Sequence, residues 1–369
     1  MESKKIIYCT VTNDLNQDQR MHRICLSLHK MGYEVILVGR LKVGSKELLK
    51  FPFTQKRLKC FFETGFMFYA DYNLRLFLFL LFKKLDIIYA VDLDTIAVGG
   101  LIKLVRRKKL VYDAHEYFVE TPELFDRPTV KRFWNLIGDT FVPTADQCIT
   151  VNESLSRMLG SLYNRPFIYV YNTPEYLERI NIDSFKGKRP YLLYQGVLNK
   201  GRGIAEMIGA MAFVDDVYFY IVGDGDLAID LKKLAAQSIA KERIEFLGWL
   251  SPEEMKKYTL GATLGINLLD GSCANYYYSL ANKFFDYMHM GIPSVNMDFP
   301  EYRNIIEKYD NGILVSDLTV SAIAAEINYV INDRDRINDM HKNCLKASQD
   351  LNWQNEEMKL NEVFKNLSS

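Results

Sequence analysis

The chain has 369 residues, 49% of them hydrophobic and 25% charged, with 46 Lys/Arg balanced by 46 Asp/Glu. That length suits two domains of moderate size, and the composition excludes a disordered or collagen-like chain. Six cysteines, at 9, 25, 60, 148, 273 and 344, form no C-x-x-C pair. This argues against a disulfide framework or a zinc site and for a reducing, cytoplasmic compartment. The zero net charge is unevenly spread: residues 1–110 hold 20 Lys/Arg against 10 Asp/Glu, and residues 111–369 hold 26 against 36. A basic first part implies an anionic partner there. No helix-turn-helix, RRM or zinc-finger pattern supports nucleic acid, so an anionic membrane surface or phosphate-bearing lipid is the expected partner.

Met1 to Lys5 lead directly into the apolar run Ile6, Ile7, Tyr8, Cys9, a first strand with no signal peptide expected ahead of it. Strands are expected over 5–10, 34–38, 86–90, 109–112, 148–151 and 167–170, with helical patterns between several of them, such as 22–31 closed by Gly32. Such alternation implies a parallel sheet with helices on both faces, and ligands beyond the carboxyl ends of the strands. The loop after the first strand runs 11–18 and contains Leu15 and Asn16. Asp18 and Arg20 have two readings, a D-x-R mark belonging to a family resemblance, or a helix N-cap at Asp18 with Arg20 a solvated first-turn residue.

Residues 51–85 are aromatic and basic. The apolar run 76–82 is far shorter than the roughly 20 residues needed to span a bilayer. It is read as a helix docked in the core, with an interfacial surface patch as the alternative. The strands at 86–90 and 109–112 both run into polar, ionisable residues: Asp92 and Asp94 after the first, Asp113, His115 and Glu116 after the second. A lone histidine in a loop is usually structural. Its place after two consecutive polar strand ends favours a functional role for His115, with Asp92, Asp113 and Glu116 as weaker candidates.

Pro174 and Pro190 bracket a polar stretch read as an interdomain linker. The alternation restarts at 191–195 and enters a loop with glycines at 196, 201 and 203, together with Lys200 and Arg202. Glycine lets backbone approach a phosphate, and the cations supply charge at a helix start. The spacing does not fit the G-x-G-x-x-G dinucleotide fingerprint. A strand runs into Gly223, and another carries Leu247 into a glycine turn.

Ser279 to Val295 then read as a loop, a helix and a buried strand, with Ser279 a plausible N-cap, Phe284, Phe285, Met288 and Met290 on the apolar face, and Gly291 the stop. A helix starting there presents the positive end of its dipole, Lys283 adds a full charge, and Asp286 lies about one turn in, able to accept from sugar hydroxyls. Helices are expected over 317–332 and 333–348, and a last amphipathic helix follows Trp353.

These marks together resemble glycosyltransferase family 4, a retaining group whose signature reads roughly S-x-P-N-K-x-F-E-Y-x-x-x-G-x-P. The D-x-H-E at 113–116 matches a subgroup of it. The resemblance spans nearly the whole chain and is strongest at 86–120 and 191–295. It implies the α/β GT-B fold, two Rossmann-like domains with parallel sheets facing a central cleft. The domains would be an acceptor-side domain at 1–173, a linker at 174–190, a nucleotide-sugar domain at 191–350, and a terminal helix at 351–369 that crosses back.

By the same resemblance, Ser279, Leu280, Ala281, Asn282 and Lys283 hold the donor diphosphate with Gly196, Arg202 and Gly203. Gly223 lies near the nucleotide, the backbone of Leu247 meets the base, and Asp286 binds the ribose. His115 lies beside the donor sugar, which makes it the first candidate for a catalytic group together with Arg202 and Lys283, and Asn16 occupies the loop where many members carry Gly-Gly. Three further departures stand out: Val197 replaces the loop arginine, Ala281 replaces a proline, and Tyr278 stands where a carboxylate usually meets the donor sugar.

The implied reaction is retaining transfer from a nucleotide-sugar, UDP ranked ahead of GDP, to a glycan or lipid-linked oligosaccharide in surface polysaccharide or glycan synthesis. No metal and no cofactor is expected. The alternatives are a catalytically silent sugar-nucleotide-binding subunit and a nucleotide-sugar 2-epimerase.

Overall fold

The computed structural model describes residues 4–176, 178 and 189–368, so most of the expected linker lies outside the described residues. Two compact units result: Met1–Asn172 with Asn355–Ser369, and Thr173–Gln354.

The first unit runs β1 (Ile6–Thr10), α1 (Gln19–Lys30), β2 (Glu34–Leu41), β3 (Thr54–Lys59), α2 (Gly65–Leu81), β4 (Ile87–Val91), α3 (Asp92–Arg106), β5 (Lys109–Ala114), α4 (Pro128–Phe141), β6 (Gln147–Thr150), α5 (Glu153–Tyr163) and β7 (Phe167–Tyr169). Its seven strands are all parallel, in the order β3-β2-β1-β4-β5-β6-β7. The central strands β1 and β4 are buried at every residue. That is what a parallel sheet covered on both faces demands, and it explains their unbroken apolar runs. Asp18 caps α1, accepting from the Met21 N–H at 3.1 Å.

The second unit runs β8 (Tyr191–Gln195), α6 (Ile204–Ala210), β9 (Tyr218–Val222), α7 (Ala228–Gln237), β10 (Ile244–Gly248), α8 (Pro252–Gly261), β11 (Leu264–Asn267), α9 (Ala274–Tyr277), α10 (Asn282–His289), β12 (Ser294–Met297), α11 (Pro300–Tyr309), β13 (Gly312–Val315), α12 (Val320–Ile331) and α13 (Arg334–Asp350); α14 (Trp353–Ser368) follows, and from Asn355 on it belongs to the first unit. Its six parallel strands lie in the order β10-β9-β8-β11-β12-β13. Beneath them Tyr191, Leu193, Val222, Ala262, Tyr287 and Ile292 form one buried cluster. After Trp353 the chain rejoins the first unit: Phe364 of α14 stacks on Tyr89 at 6.3 Å and meets Tyr33 edge-on at 5.7 Å.

Both sheets reverse their strand order once, between β1 and β4 and between β8 and β11. In an open parallel sheet such a reversal parts the flanking loops and leaves a crevice beyond the carboxyl ends of the two strands. The loops that start there are 11–18 and the turn at Asp92 in the first unit, and 196–203 and 268–281 in the second.

Candidate active site

In the second unit, the loops at the reversal are drawn together by backbone. Gly223, with φ +137°, lies so close to Gly196 that an added Cβ would sit 1.9 Å from the Gly196 carbonyl oxygen. Only glycine fits, which is why glycine recurs at these strand ends. Gly201 accepts from the Asp270 N–H at 3.0 Å, joining the loop after β8 to the loop after β11.

Helix α10 begins at Asn282, with Ala281 at the cap and no side-chain cap bond. The expectation that Ser279 caps the helix is corrected: its Oγ donates to the Tyr276 carbonyl at 2.8 Å and belongs to the turn after α9. The buried Tyr302 holds this segment, its hydroxyl accepting from the Ala281 N–H at 3.0 Å. Lys283, one residue into α10, lays its Nζ 3.7 Å from the centroid of the Tyr194 ring, and a Cβ on Gly196 would lie 3.4 Å from that nitrogen. The Tyr194 hydroxyl donates to the Val197 carbonyl at 2.8 Å, which fixes the ring under the ammonium. The guanidinium of Arg202 lies 5.0 Å from the Tyr276 ring centroid, and its Nε is buried without a hydrogen-bond partner.

The two cations share one field. Burial pushes the Lys283 ammonium well below the ordinary lysine range and repulsion from Arg202 pushes it further, against a smaller pull from Asp286. No carboxylate ion-pairs with Lys283 or Arg202 among the described residues. A guanidinium and a neighbouring lysine whose charged state is disfavoured, both on aromatic rings and without a carboxylate ion pair at the amino end of a helix, form a site that an anion of more than one charge would complete.

Of the other residues singled out, Asp286 is half-buried and interacts electrostatically with Lys283. Asn282 is exposed, Leu280 is buried, and Tyr278 is half-buried with its ring 4.9 Å from Tyr277. Gly203 caps α6 with φ +63°, and Leu247 lies in β10. Val197 is exposed.

At the first unit's reversal, the organising group is Asp113 at the end of β5. Its buried carboxylate accepts from Arg20 Nε at 3.1 Å, Arg20 Nη2 at 3.0 Å and the Tyr89 hydroxyl at 2.8 Å, and it lies 2.9 Å from His115 Nε2. Arg20, solvated on one of its two readings, is buried, because α1 turns this side of its first turn onto the sheet; Nη1 also donates to the Val170 carbonyl at 2.8 Å. Burial works against the His115 imidazolium, but Asp113 and then Asp92 outweigh it and raise its pKa to about 9. Burial likewise works against the Asp113 carboxylate, and Arg20 and His115 outweigh it, holding Asp113 well below the usual carboxylate range. His115 is thus a fixed cation near neutral pH and a hydrogen-bond donor rather than a base.

The His115 backbone N–H donates to Asp92 Oδ1 at 2.8 Å. Asp92 opens α3 with φ +54°, a costly conformation for a residue with a side chain. Asp94 accepts from the Thr12 hydroxyl at 2.5 Å, and burial raises its pKa to about 7 against that bond. The D-x-D carboxylates are therefore already engaged by protein groups. Asn16 is also engaged: Nδ2 donates to the Glu47 carbonyl at 2.7 Å and Oδ1 accepts from the Leu49 N–H at 3.1 Å, tying down the chain after β2. Among the described residues, no group of three or more His, Cys, Asp or Glu side chains could hold a metal ion.

Sequence reasoning missed Tyr194, Tyr276, Tyr302 and Tyr89. The aromatic residues gave no spacing signal, and each acts through a ring or hydroxyl placed by the fold.

Residues 178–347 match the family profile described as glycosyl transferases group 1. An uncharacterized glycosyltransferase of Methanocaldococcus jannaschii is 24% identical over 278 residues, 68% of this chain and 67% of that protein. A sucrose-phosphate synthase from Thermosynechococcus elongatus superposes with a TM-score of 0.82 at 14% identity, covering 99% of both chains. HepE of Anabaena, solved in complex with UDP-glucose, superposes at 0.75 and 15% identity over 98% of this chain and 99% of its own. At such identities the structural likeness establishes the shared two-domain α/β fold of GT-B glycosyltransferases.

Proposed function

We propose that the chain, whose residues 178–347 match the profile of the group 1 glycosyl transferases, transfers a sugar from a nucleotide-sugar, a UDP-sugar ahead of a GDP-sugar, with retention at the anomeric carbon. The observation that carries this reading is the convergence of Arg202 and Lys283 on the strand reversal of the second unit, without carboxylate partners. A nucleoside diphosphate supplies the negative charge that these groups lack, and it also restores the charged state that burial takes from Lys283. HepE of Anabaena, of similar fold, is solved with UDP and with UDP-glucose, which supports the uridine preference.

In the proposed reaction the bond from the anomeric carbon to the diphosphate oxygen breaks, and the acceptor hydroxyl attacks from the same face. The departing diphosphate takes the acceptor's proton, so no protein base is needed and His115 can stay protonated. Arg202 and Lys283 stabilise the leaving charge as it develops, the role a metal ion would otherwise serve. Asp286 is assigned to the ribose hydroxyls and the backbone at Leu247 to the base. His115 and the carboxylates around it are assigned to sugar hydroxyls. The acceptor is a glycan or lipid-linked oligosaccharide, and no cofactor takes part.

Val197 and Tyr278, which stand where the family resemblance leads one to expect an arginine and a carboxylate, favour a second reading as a silent sugar-nucleotide-binding subunit. A melting-temperature screen against UDP, GDP and their sugar conjugates tests binding, because a ligand held only by the native state raises the transition. Donor consumption, with and without glycan acceptors, then tests turnover. A shift with UDP and acceptor-dependent consumption is the expected result. Acceptor-independent conversion identifies the epimerase, a shift without consumption the silent subunit, and no shift with any diphosphate refutes donor binding.

A further inference from the structure

Helix α2 is apolar on two opposite stripes. Phe68, Tyr72, Leu76 and Leu80, spaced by four, are buried. Leu74, Leu78 and Phe82, also spaced by four, are 58%, 50% and 82% exposed. A surface helix ordinarily gives its outer face to polar residues. The stripe does not end with α2. The carboxyl end of α3 is tied beside it by Arg106 Nη1, which donates to the Leu80 carbonyl at 3.0 Å, and there Leu104 and Val105 are 65% and 62% exposed. The first turns of α3 are buried instead, with Asn73 Nδ2 of α2 donating to the Asp94 carbonyl at 2.9 Å, and α2 meets α4 through Phe66 against Phe133 at 5.6 Å and Tyr69 against Trp134 at 5.1 Å.

Where the two helices end, the surface becomes strongly basic. Residues 82–110 contain Lys83, Lys84, Lys103, Arg106, Arg107, Lys108 and Lys109 against three acids, and two of those, Asp92 and Asp94, are at the opposite end of α3. Lys83, Lys84 and Arg107 are exposed and make no ion pair among the described residues. Their charges meet the positive requirement of two helix carboxyl ends while remaining open to solvent.

We propose that this face of the first unit docks on an anionic lipid bilayer, with Leu74, Leu78, Phe82, Leu104 and Val105 entering the interface and Lys83, Lys84 and Arg107 at the phosphates. Charge complementarity selects this occupant over a second copy of the chain. A two-fold dimer would set the same patch against itself and bring like cations together, whereas acidic lipids offer the opposite sign. The association is interfacial, because no helix among the described residues is long and apolar enough to cross a membrane. The inference concerns the first unit alone and stands whether or not sugar transfer occurs.

The test is co-sedimentation of the full chain with vesicles of phosphatidylcholine, with and without phosphatidylglycerol. Binding is expected only with phosphatidylglycerol, and it falls as salt is raised. Each basic residue near an acidic surface is worth roughly fivefold, so the loss of three in Lys83→Glu/Lys84→Glu/Arg107→Glu is expected to weaken partition by at least about 100-fold. Phe82→Ser/Leu78→Ser is expected to weaken it at unchanged charge. A melting curve checks the fold of each variant, and Phe82→Ser alone substitutes if the triple reversal fails to fold. Equal partition onto both vesicles, no partition onto acidic ones at low salt, or a wild-type dimer in sedimentation velocity that Phe82→Ser dissociates would each overturn the proposal.

Discussion

Replacing Asp113 by Asn isolates the electrostatics of the first unit's strand ends. The carboxylate is fully buried between Arg20 and His115. Asparagine keeps its size but removes the charge and turns a donor toward other donors. Leaving Arg20 buried without its partner costs about 3–5 kcal/mol, and this part persists throughout the working pH range. The His115 part depends on pH. Its folded pKa, about 9, lies above the ordinary value of 6.5. Its stabilisation is therefore complete below pH 6.5 and lost as pH rises through 9, and the full rise is worth roughly 3 kcal/mol.

Asp113 has the opposite sign, its contribution present above the ordinary carboxylate pKa and lost in acid. Urea titrations of wild type and Asp113→Asn at pH 6 and pH 9.5 should show a large gap that narrows by about 2–3 kcal/mol at the higher pH. NMR of the His115 ring should place its titration well above 6.5 in the wild type and move it down in the variant. An equal gap at both pH values, or a wild-type imidazole titrating near 6.5, would refute the reasoning.

The ammonium of Lys283 predicts a pH effect on donor affinity. Because burial and Arg202 lower its pKa, UDP affinity should weaken as pH rises through that lowered value, and calorimetry of Lys283→Met should show this pH slope gone. Tyr194→Leu removes the ring under the ammonium and should weaken UDP binding by about 2- to 30-fold, the range of a cation–π contact, while Tyr194→Phe retains most of the affinity. Ser251→Ala breaks the capping box that opens α8 and should cost about 1 kcal/mol in urea unfolding. Phe364→Ala empties the contact between α14 and the first sheet, and a loss of about 3–5 kcal/mol is expected in the same assay.

Buried parallel strands announce themselves as short apolar runs, and the strands at 6–10, 87–91 and 191–195 were legible for that reason. The edge strand β3, of sequence Thr-Gln-Lys-Arg-Leu-Lys, was not, because an edge strand with no fully buried residue needs no apolar pattern. Glycines marked the second unit's loops in advance, since backbone contact as close as that between Gly196 and Gly223 admits nothing else. The Arg20–Asp113 pair could not be read, because the two residues are 93 positions apart and each alone resembles an ordinary surface charge. The aromatic supports of Arg202 and Lys283 escaped for a related reason: a tyrosine beneath a cation has the same local sequence as a core tyrosine.

The account rests on Arg202 and Lys283 binding a pyrophosphate together, and titration calorimetry of UDP against uridine measures that directly. UDP should bind the wild-type chain at least about 100-fold more tightly than uridine, as two charge-assisted contacts of roughly 1.5–3 kcal/mol each require, and Arg202→Ala/Lys283→Ala should erase the difference. Equal affinity for UDP and uridine, or a double variant that still prefers UDP to the same degree, would contradict it.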